Sequence, residues 1–255
     1  MVKTVIRLKQ KKGRDLSGLF VVEGKKFVQA LPPHWELTDI CVSESFALAE
    51  KYWLDENFRK VAVLHIIRDD LFNHMSDTIT PQGILAICKQ IRYALGDLAW
   101  GACAPFLVIG ERLSDPGNAG ALIRTADAFG CHGVLLTSGS VDLYNPKVLR
   151  ASAGAAFRVP VVWGISLEEA VSFCRQNGLT LLALHIEGKQ LPWLCDLRGG
   201  AAVLTGNEAN GLSAQALSLA DTRVKIPMRE HCESLNASVA GSVLMYEIMR
   251  QRMTI

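Results

Sequence analysis

The chain contains 255 residues, of which 49% are hydrophobic and 20% charged, with a formal net charge of +2. This composition is ordinary for a globular protein and excludes collagen-like, low-complexity and strongly charged disordered chains. The longest apolar stretch, 94–110, is interrupted by Asp97 and Pro105, so we expect no membrane span. The length accommodates one large domain or two small ones.

Positive charge is concentrated at the amino terminus. The first 26 residues contain eight lysines or arginines and two acidic residues, so they carry +6 and the rest of the chain −4. This asymmetry favours contact with a polyanion, although a basic run is more often solvated surface. No apolar segment follows the first charges, so no secretory signal is predicted.

The cysteines argue against a disulfide framework and against a zinc site. There are seven, and none forms a C-x-x-C pair. Cys131 is followed by His132, and His231 by Cys232, but neighbours on a chain rarely converge on one metal without further ligands. We therefore expect reduced, mostly buried cysteines in a cytoplasmic protein that holds no metal.

The first 92 residues alternate between helical and strand-like segments. A basic segment with helical character comes first, and strands are predicted at 40–42, 61–66 and 83–88. This alternation predicts a small α/β domain over 1–92. The segment 93–105 contains two glycines and a proline, so it is predicted to be a linker.

Strands and helices alternate again over 106–255, which predicts a mainly parallel sheet covered on both faces. Strands are predicted at 106–110, 133–137, 159–162, 179–185 and 201–205. Helices are predicted near 119–129, 146–152 and 167–176, and after Leu212.

Three stretches carry polar residues in otherwise apolar surroundings. The first, SDPGNAGALIRTADAFG over 114–130, is a turn that leads into a helix bearing Arg124. The second, VLTGNEANGLS over 203–213, is a strand that ends in an acidic loop with Glu208. The third, over 223–252, predicts a strand at 223–228, a polar loop, and a buried helix that begins near Ala237. Taken alone, Ser-Leu-Asn at 234–236 predicts a helix N-cap.

In order and internal spacing, these stretches resemble the three motifs of the SpoU (TrmH) family of RNA 2′-O-ribose methyltransferases, in the SPOUT superfamily. GLFVVEGKKFVQAL at 18–31 and PQGILAI at 81–87 resemble the family's substrate-binding domain, which is similar to a ribosomal-protein fold. The resemblance implies an RNA-binding domain at 1–92 and a SPOUT domain at 106–255 with a deep trefoil knot. It also implies S-adenosylmethionine as cofactor and a homodimer whose second subunit completes the active site.

By motif position, the resemblance implies five catalytic residues: Arg124, Asn118, Glu208, Ser234 and Asn236. The family's arginine has been proposed to accept the hydroxyl proton with help from a serine, matched here by Ser234. Because arginine is effectively always protonated, stabilising the alkoxide or a phosphate is an equally sound role. The structural alternatives are an ion pair between Arg124 and Asp127, an N-cap role for Asn118, and a solvated surface position for Glu208.

Cofactor contacts are implied at four positions: Gly206, Ile226, Met228 and Leu235. Plain core packing is the alternative for these residues. The chain departs from relatives at two positions: Ala209 stands where many relatives have a glycine after the glutamate, and Glu230 stands where glycine is frequent. The stretch 144–154 also matches the family, and three roles stay open for its Lys147 and Arg150: contact with RNA phosphate, contact with a second subunit, or a simple surface position.

Two function classes other than a ribosomal RNA methyltransferase remain open at this point. A transfer RNA methyltransferase uses the same chemistry, but relatives acting on transfer RNA usually have shorter extensions, so large-subunit ribosomal RNA is preferred. A non-catalytic RNA-binding protein of the same fold would not need Arg124, Glu208, Ser234 and Asn236 together. A doubly wound oxidoreductase is disfavoured because no G-x-G-x-x-G turn follows the strand at 106–110.

Overall fold

The structure is a computed structural model that describes residues 1–58, 63–232 and 234–253. The chain divides into two compact units. Unit 1 contains Met1–Ile91 and Tyr144–Arg150, and unit 2 contains Arg92–Leu143 and Ala151–Ile255. In the described ranges, no helix has the length and apolarity needed to cross a membrane.

The amino-terminal segments of unit 1 form four strands and six helices within the described residues. The strands are β1 (Leu19–Glu23), β2 (Leu37–Ser43), β3 (Val63–Ile67) and β4 (Ile84–Lys89). The helices are α1 (Val2–Leu8), α2 (Lys11–Ser17), α3 (Lys25–Gln29), α4 (Glu44–Ala49), α5 (Lys51–Phe58) and α6 (Asp69–Met75). The sheet order is β1–β4–β2–β3, with β4 antiparallel to β1 and β2, and β3 parallel to β2.

The predicted α/β alternation is confirmed in this unit, with shifted boundaries. The basic segment forms α1 and α2. The strand predicted at 61–66 runs as β3 to Ile67, while positions 61 and 62 lie outside the described residues. Part of the basic charge has a structural use, because Arg14 Nη1 donates to the carbonyls of Leu8 (2.9 Å) and Lys9 (2.8 Å) at the end of α1.

The described residues of unit 2 form six strands. They are β5 (Phe106–Gly110), β6 (Gly133–Thr137), β7 (Val161–Ile165), β8 (Thr180–Leu184), β9 (Ala201–Thr205) and β10 (Thr222–Val224). The remaining α-helices of the described residues are α7 (Pro116–Ala128), α8 (Pro146–Ala151), α9 (Leu167–Gln176), α10 (Ala214–Leu219) and α11 (Ala237–Arg252). Most of α8 belongs to unit 1. The sheet order is β10–β8–β9–β5–β6–β7, and every pair is parallel.

Helices cover both faces of this sheet, as predicted. Alternate residues of β5 and β9, such as Leu107 and Ala202, share one core cluster with α9 and α10. Thr205 of β9 belongs to the alternate residues on the other face of the sheet. Its Cγ2 lies 2.9 Å from where a Cβ on Gly241 of α11 would stand. Helix α11 therefore packs on the second face, where its Ser242 Oγ donates to Thr125 of α7 at 3.0 Å.

Two sequence expectations are changed by the structure of unit 2. The segment predicted as a linker packs against the unit 2 core, where the ring of Trp100 lies 6.1 Å from that of Phe173. The strand predicted at 223–228 is wrong in length, because β10 ends at Val224. Lys225 N bonds to Gln190 O at 2.8 Å instead, and Pro227 has no N–H for a ladder.

All seven cysteines are free in this structure, and their reduced state stays a prediction. Four of them are buried: Cys41, Cys88, Cys131 and Cys174. Burial raises the pKa of the Cys88 thiol to about 12, so this side chain is a neutral, inert core residue at neutral pH.

Tyr144→Phe is expected to destabilise unit 1. The buried Tyr144 hydroxyl donates to Ile91 O at 2.6 Å and accepts from Ile91 N at 2.8 Å, while its ring packs 4.4 Å from that of Phe20. Phenylalanine keeps the ring contact but leaves both backbone groups without this partner, at a cost of about 2 kcal/mol. Urea unfolding of both proteins measures the loss, and equal midpoints would contradict it.

Candidate active site

The loops that follow β5 and β9 lie side by side at the carboxyl edge of the unit 2 sheet. From β5 the chain builds β6 and β7 on one side, then crosses to build β8, β9 and β10 on the other. The strand order therefore reverses between β5 and β9, where Glu111 N donates to Thr205 O at 2.8 Å. Open parallel sheets bind their ligands at such a reversal point.

Glu208, in the loop after β9, is held by the loop after β5. Its carboxylate accepts hydrogen bonds from Ser114 N (3.3 Å), Ser114 Oγ (3.0 Å), Asp115 N (3.2 Å) and Asn118 Nδ2 (3.0 Å). Burial acts to raise the pKa of Glu208, but these hydrogen bonds outweigh burial and hold the pKa below the ordinary glutamate value. Glu208 is therefore a carboxylate at neutral pH.

Asn207 shapes this loop, although the sequence did not single it out as a site residue. Its backbone pairs with Gly211 in both directions, at 3.0 and 2.8 Å, and Gly211 has a φ of +66°. A Cβ on Gly206 would lie 2.1 Å from the Gly211 carbonyl carbon, so only glycine fits there. Asn207 Nδ2 also donates to Arg112 O at 2.9 Å and Ser114 Oγ at 3.2 Å. Gly-Asn after a strand is the turn signal that could have identified this residue.

Asn118 lies in the first turn of α7 but is not its N-cap. That position belongs to Asp115, whose Oδ1 accepts from Asn118 N at 2.8 Å, and Pro116 occupies the first turn beside it. The structural alternative of an N-cap role for Asn118 is therefore wrong. Its side chain instead donates to Glu208 and accepts, at Oδ1, from Asn236 Nδ2 at 2.8 Å.

Asn236 caps α11, which confirms the N-cap prediction for the Ser-Leu-Asn stretch. Its Oδ1 accepts from Ser238 N (3.0 Å) and Val239 N (3.3 Å), while its Nδ2 reaches Asn118. A continuous chain of hydrogen bonds therefore runs from Glu208 through Asn118 to Asn236. Each of the three motifs contributes one residue to it.

Substitutions at Asn236 separate its two roles. Asn236→Ala removes both the cap and the bond to Asn118, whereas Asn236→Asp keeps the cap but has no amide hydrogen to donate. We expect alanine to lower the free energy of unfolding by about 1 kcal/mol, and aspartate to change it by no more than about 0.5 kcal/mol. Urea unfolding of the three proteins checks this, and an aspartate variant as unstable as the alanine variant would contradict it.

A cavity of about 310 Å³ opens beside Glu208. It is bounded by the ends of β8, β9 and β10 and by the segment before α11. All four residues predicted to contact a cofactor line it, namely Gly206, Ile226, Met228 and Leu235. Glu208 and Ser234 line it as well, together with His185 and Ile186, which no sequence pattern indicated. A cavity of this size and apolar character suits a small organic ligand.

Arg124, in the middle of α7, does not line this cavity. Its side chain is exposed and, within the described ranges, has no hydrogen bond or ion pair. The alternative of an ion pair with Asp127 is wrong, because Asp127 Oδ2 accepts from Arg158 Nε at 3.0 Å. The exposed guanidinium of Arg124 can therefore bind a group that lies outside the cavity of its own chain.

Comparison with known proteins identifies the family to which the chain belongs. The model of the SpoU rRNA Methylase family matches residues 105–246, more than half of the sequence. The chain belongs to this family. A second model, the MRM3-like substrate binding domain, matches residues 1–86. The SpoU resemblance is therefore confirmed, as is a methyltransferase fold preceded by a small substrate-binding domain, while the trefoil knot stays a prediction.

Relatives of this SpoU chain match it along nearly all of its length. An uncharacterized tRNA/rRNA methyltransferase of Synechocystis is 32% identical, covering 99% of this chain and 91% of the relative. The 23S rRNA (guanosine(2553)-2'-O)-methyltransferase RlmP of Bacillus subtilis is 29% identical, covering 97% of this chain and 95% of the relative. The SpoU methyltransferase AviRb from Streptomyces viridochromogenes, solved with AdoMet, has a TM-score of 0.89 at 27% identity, covering 98% and 96% of the two chains. This SpoU chain is thus an RNA methyltransferase.

Proposed function

We propose that this chain transfers a methyl group from S-adenosylmethionine to a ribose 2′-hydroxyl of large-subunit ribosomal RNA. The observation that carries the proposal is the hydrogen-bond chain from Glu208 through Asn118 to Asn236 beside an apolar-lined cavity. The similarity to RlmP supports the substrate, because that relative is named for this reaction on 23S rRNA. The family match at 1–86 supports a role in substrate binding for the predicted domain 1–92.

The cavity fits S-adenosylmethionine in size and character. Ile226, Met228 and Leu235 supply apolar surface that suits an adenine ring, and Gly206 brings backbone to the cavity wall. The carboxylate of Glu208 adds negative charge to the same wall. When bound, the cofactor supplies a methyl group on a positively charged sulfur.

The chemistry requires a weakly acidic hydroxyl to become a nucleophile. Transfer of the methyl carbon from sulfur to the ribose oxygen would release the hydroxyl proton, which passes to water. Negative charge develops on the ribose oxygen, so a cation and a hydrogen-bond donor beside it lower the barrier. We assign the cation to Arg124 and the donor to Ser234. Asn118 positions the two loops, because its side chain joins Glu208 to Asn236.

A homodimer in the cytoplasm is part of the proposal, with Arg124 of one subunit serving the cavity of the other. Two observations support the dimer. Helix α11 exposes Val239 (48%), Val243 (39%) and Tyr246 (49%) at helical spacing. The adjacent α7, which packs on α11, exposes Arg124. Val243→Glu, measured by light scattering, should shift a dimer toward monomer; an unchanged mass would contradict this interface.

The experiment that tests the proposed function supplies labelled S-adenosylmethionine with ribosomal RNA and with transfer RNA in separate reactions. Label in large-subunit ribosomal RNA is the expected result. Label only in transfer RNA would overturn the substrate and keep the reaction. A protein that binds RNA but neither binds the cofactor nor transfers label would overturn the reaction and favour the non-catalytic RNA binder.

A further inference from the structure

Arg112, in the loop after β5, has an uncommon backbone conformation for its residue type. Its φ is +51°, in the left-handed region where a Cβ crowds the following carbonyl. In the described ranges, Ala153 is the one other non-glycine residue with a positive φ. Such conformations persist when the surrounding structure holds them, and they cluster at functional sites.

The surroundings of Arg112 do hold it in place. Its N–H donates to Thr137 Oγ1 at 3.0 Å, and its carbonyl accepts from Asn207 Nδ2 at 2.9 Å. Its Cγ lies 3.5 Å from where a Cβ on Gly139 would stand, so the arginine stem lies over the glycine of the loop after β6. Asn207 also donates to Glu208 at 3.3 Å, which ties the position of Arg112 to the carboxylate of the site.

The guanidinium of Arg112 has no protein partner among the residues that the structure describes. It is exposed, and across the part of the chain that the structure describes it makes no hydrogen bond or ion pair. Two other exposed arginines of unit 2 are held in ion pairs, since Arg198 binds Asp196 at 2.8 Å and Arg250 binds Glu247 at 2.7 Å. Glycine would adopt the backbone of position 112 without strain, so the fold itself does not need this cation.

We propose that Arg112 binds a phosphate of the RNA strand that carries the target ribose. This inference rests on the proposed function, because it places RNA at the carboxyl edge of β5 and β6. A guanidinium donates two parallel hydrogen bonds to phosphate oxygens, and phosphate contacts set the position of a nucleic acid without reading its sequence. Arg112 thereby fixes the strand beside Glu208, while the strained backbone keeps the stem of the side chain over Gly139.

Two variants separate the cation from the backbone. Arg112→Gly removes the guanidinium and relieves the strain, whereas Arg112→Ala removes the guanidinium and keeps the strain. Arg198→Gly is the control, because it removes an exposed arginine from the opposite edge of the same sheet. The measurements are the Kd for in vitro transcribed large-subunit ribosomal RNA over a series of salt concentrations, the Kd for S-adenosylmethionine, and the melting temperature, all on the full chain.

Both Arg112 variants are expected to raise the RNA Kd about tenfold. They should also reduce the slope of log Kd against log salt concentration by about one. Their cofactor Kd should stay within about twofold, and Arg112→Gly should melt at a higher temperature than Arg112→Ala. Arg112→Gly with the wild-type RNA Kd and salt dependence would overturn the inference, as would a loss confined to Arg112→Ala. Wild-type protein that binds RNA but transfers no methyl would overturn the proposed function, while the comparison of RNA affinities would still decide the role of Arg112.

Discussion

Arg124→Ala is expected to lower the rate of methyl transfer about a thousandfold while S-adenosylmethionine still binds. Removing one donor aimed at a developing oxyanion costs enzymes rate enhancement of this size. Cofactor affinity should persist because Arg124 does not line the cavity. Single-turnover transfer of labelled methyl and calorimetric cofactor binding measure the two effects. Arg175→Ala, an exposed arginine on α9, is the matched control, and full activity of Arg124→Ala would contradict the assignment.

Mixed dimers decide whether Arg124 acts within its own chain or across the interface. Arg124→Ala and Ser234→Ala protein should each be inactive alone. If the two residues serve one site from different subunits, a mixed dimer carries both defects in one site and none in the other. Random mixing should then restore about a quarter of wild-type activity. No recovery in a verified mixed dimer would contradict the proposed interface.

Glu208→Gln is expected to lower kcat/KM about a hundredfold. Ser114, Asp115 and Asn118 all direct hydrogens at the Glu208 carboxylate. A glutamine amide presents its own hydrogens to part of this set, so at least one donor loses its acceptor. Asn118 would then lose the contact that holds it toward Asn236. Steady-state methyl transfer measures the loss, with Glu56→Gln on α5 as a charge-matched control, and activity equal to wild type would contradict the network.

The stability of the folded protein depends on pH through the same carboxylate, and the sign of this dependence follows from the lowered pKa of Glu208. Hydrogen bonds keep the folded pKa of Glu208 below its ordinary value of 4.5, despite burial, which acts to raise it. The stabilisation that these bonds provide is therefore present above pH 4.5 and is lost as pH falls through the folded pKa. We expect the stability advantage of wild type over Glu208→Gln to shrink below pH 4.5 in urea unfolding. A constant difference would contradict the lowered pKa.

Much of the fold was predictable because its signals are local and periodic. The alternation of apolar strands and amphipathic helices predicted the parallel sheet, and Asn236 was recognisable as a helix cap from its residue type. The strand predicted at 223–228 was too long because alternation cannot show where hydrogen-bond partners end. Val224 pairs with Leu184 of β8, but the backbone N–H of Lys225 donates to the carbonyl of Gln190 instead.

The motifs indicated residues for the candidate site, but not the contacts that these residues make. Motif order pointed to Glu208, Asn118 and Asn236, which the structure joins by hydrogen bonds between distant parts of the chain. Capping by Asn118 stayed open as an alternative because Asp115 and Asn118 are both good capping residues, and the cap is decided by the folded turn, in which Asp115 Oδ1 accepts from Asn118 N. Arg112 had no sequence signal, since a positive φ at an arginine is a property of the folded loop.

The most direct test of the central claim is the position of the methyl group in the RNA product. Large-subunit ribosomal RNA is labelled with S-adenosylmethionine and this protein, then hydrolysed in alkali, which cleaves next to every ribose with a 2′-hydroxyl. The account predicts label in alkali-resistant dinucleotides, because a 2′-O-methyl group blocks cleavage at that ribose. Label released in mononucleotides would place the methyl on a base and would contradict ribose 2′-O-methylation at the Glu208 site.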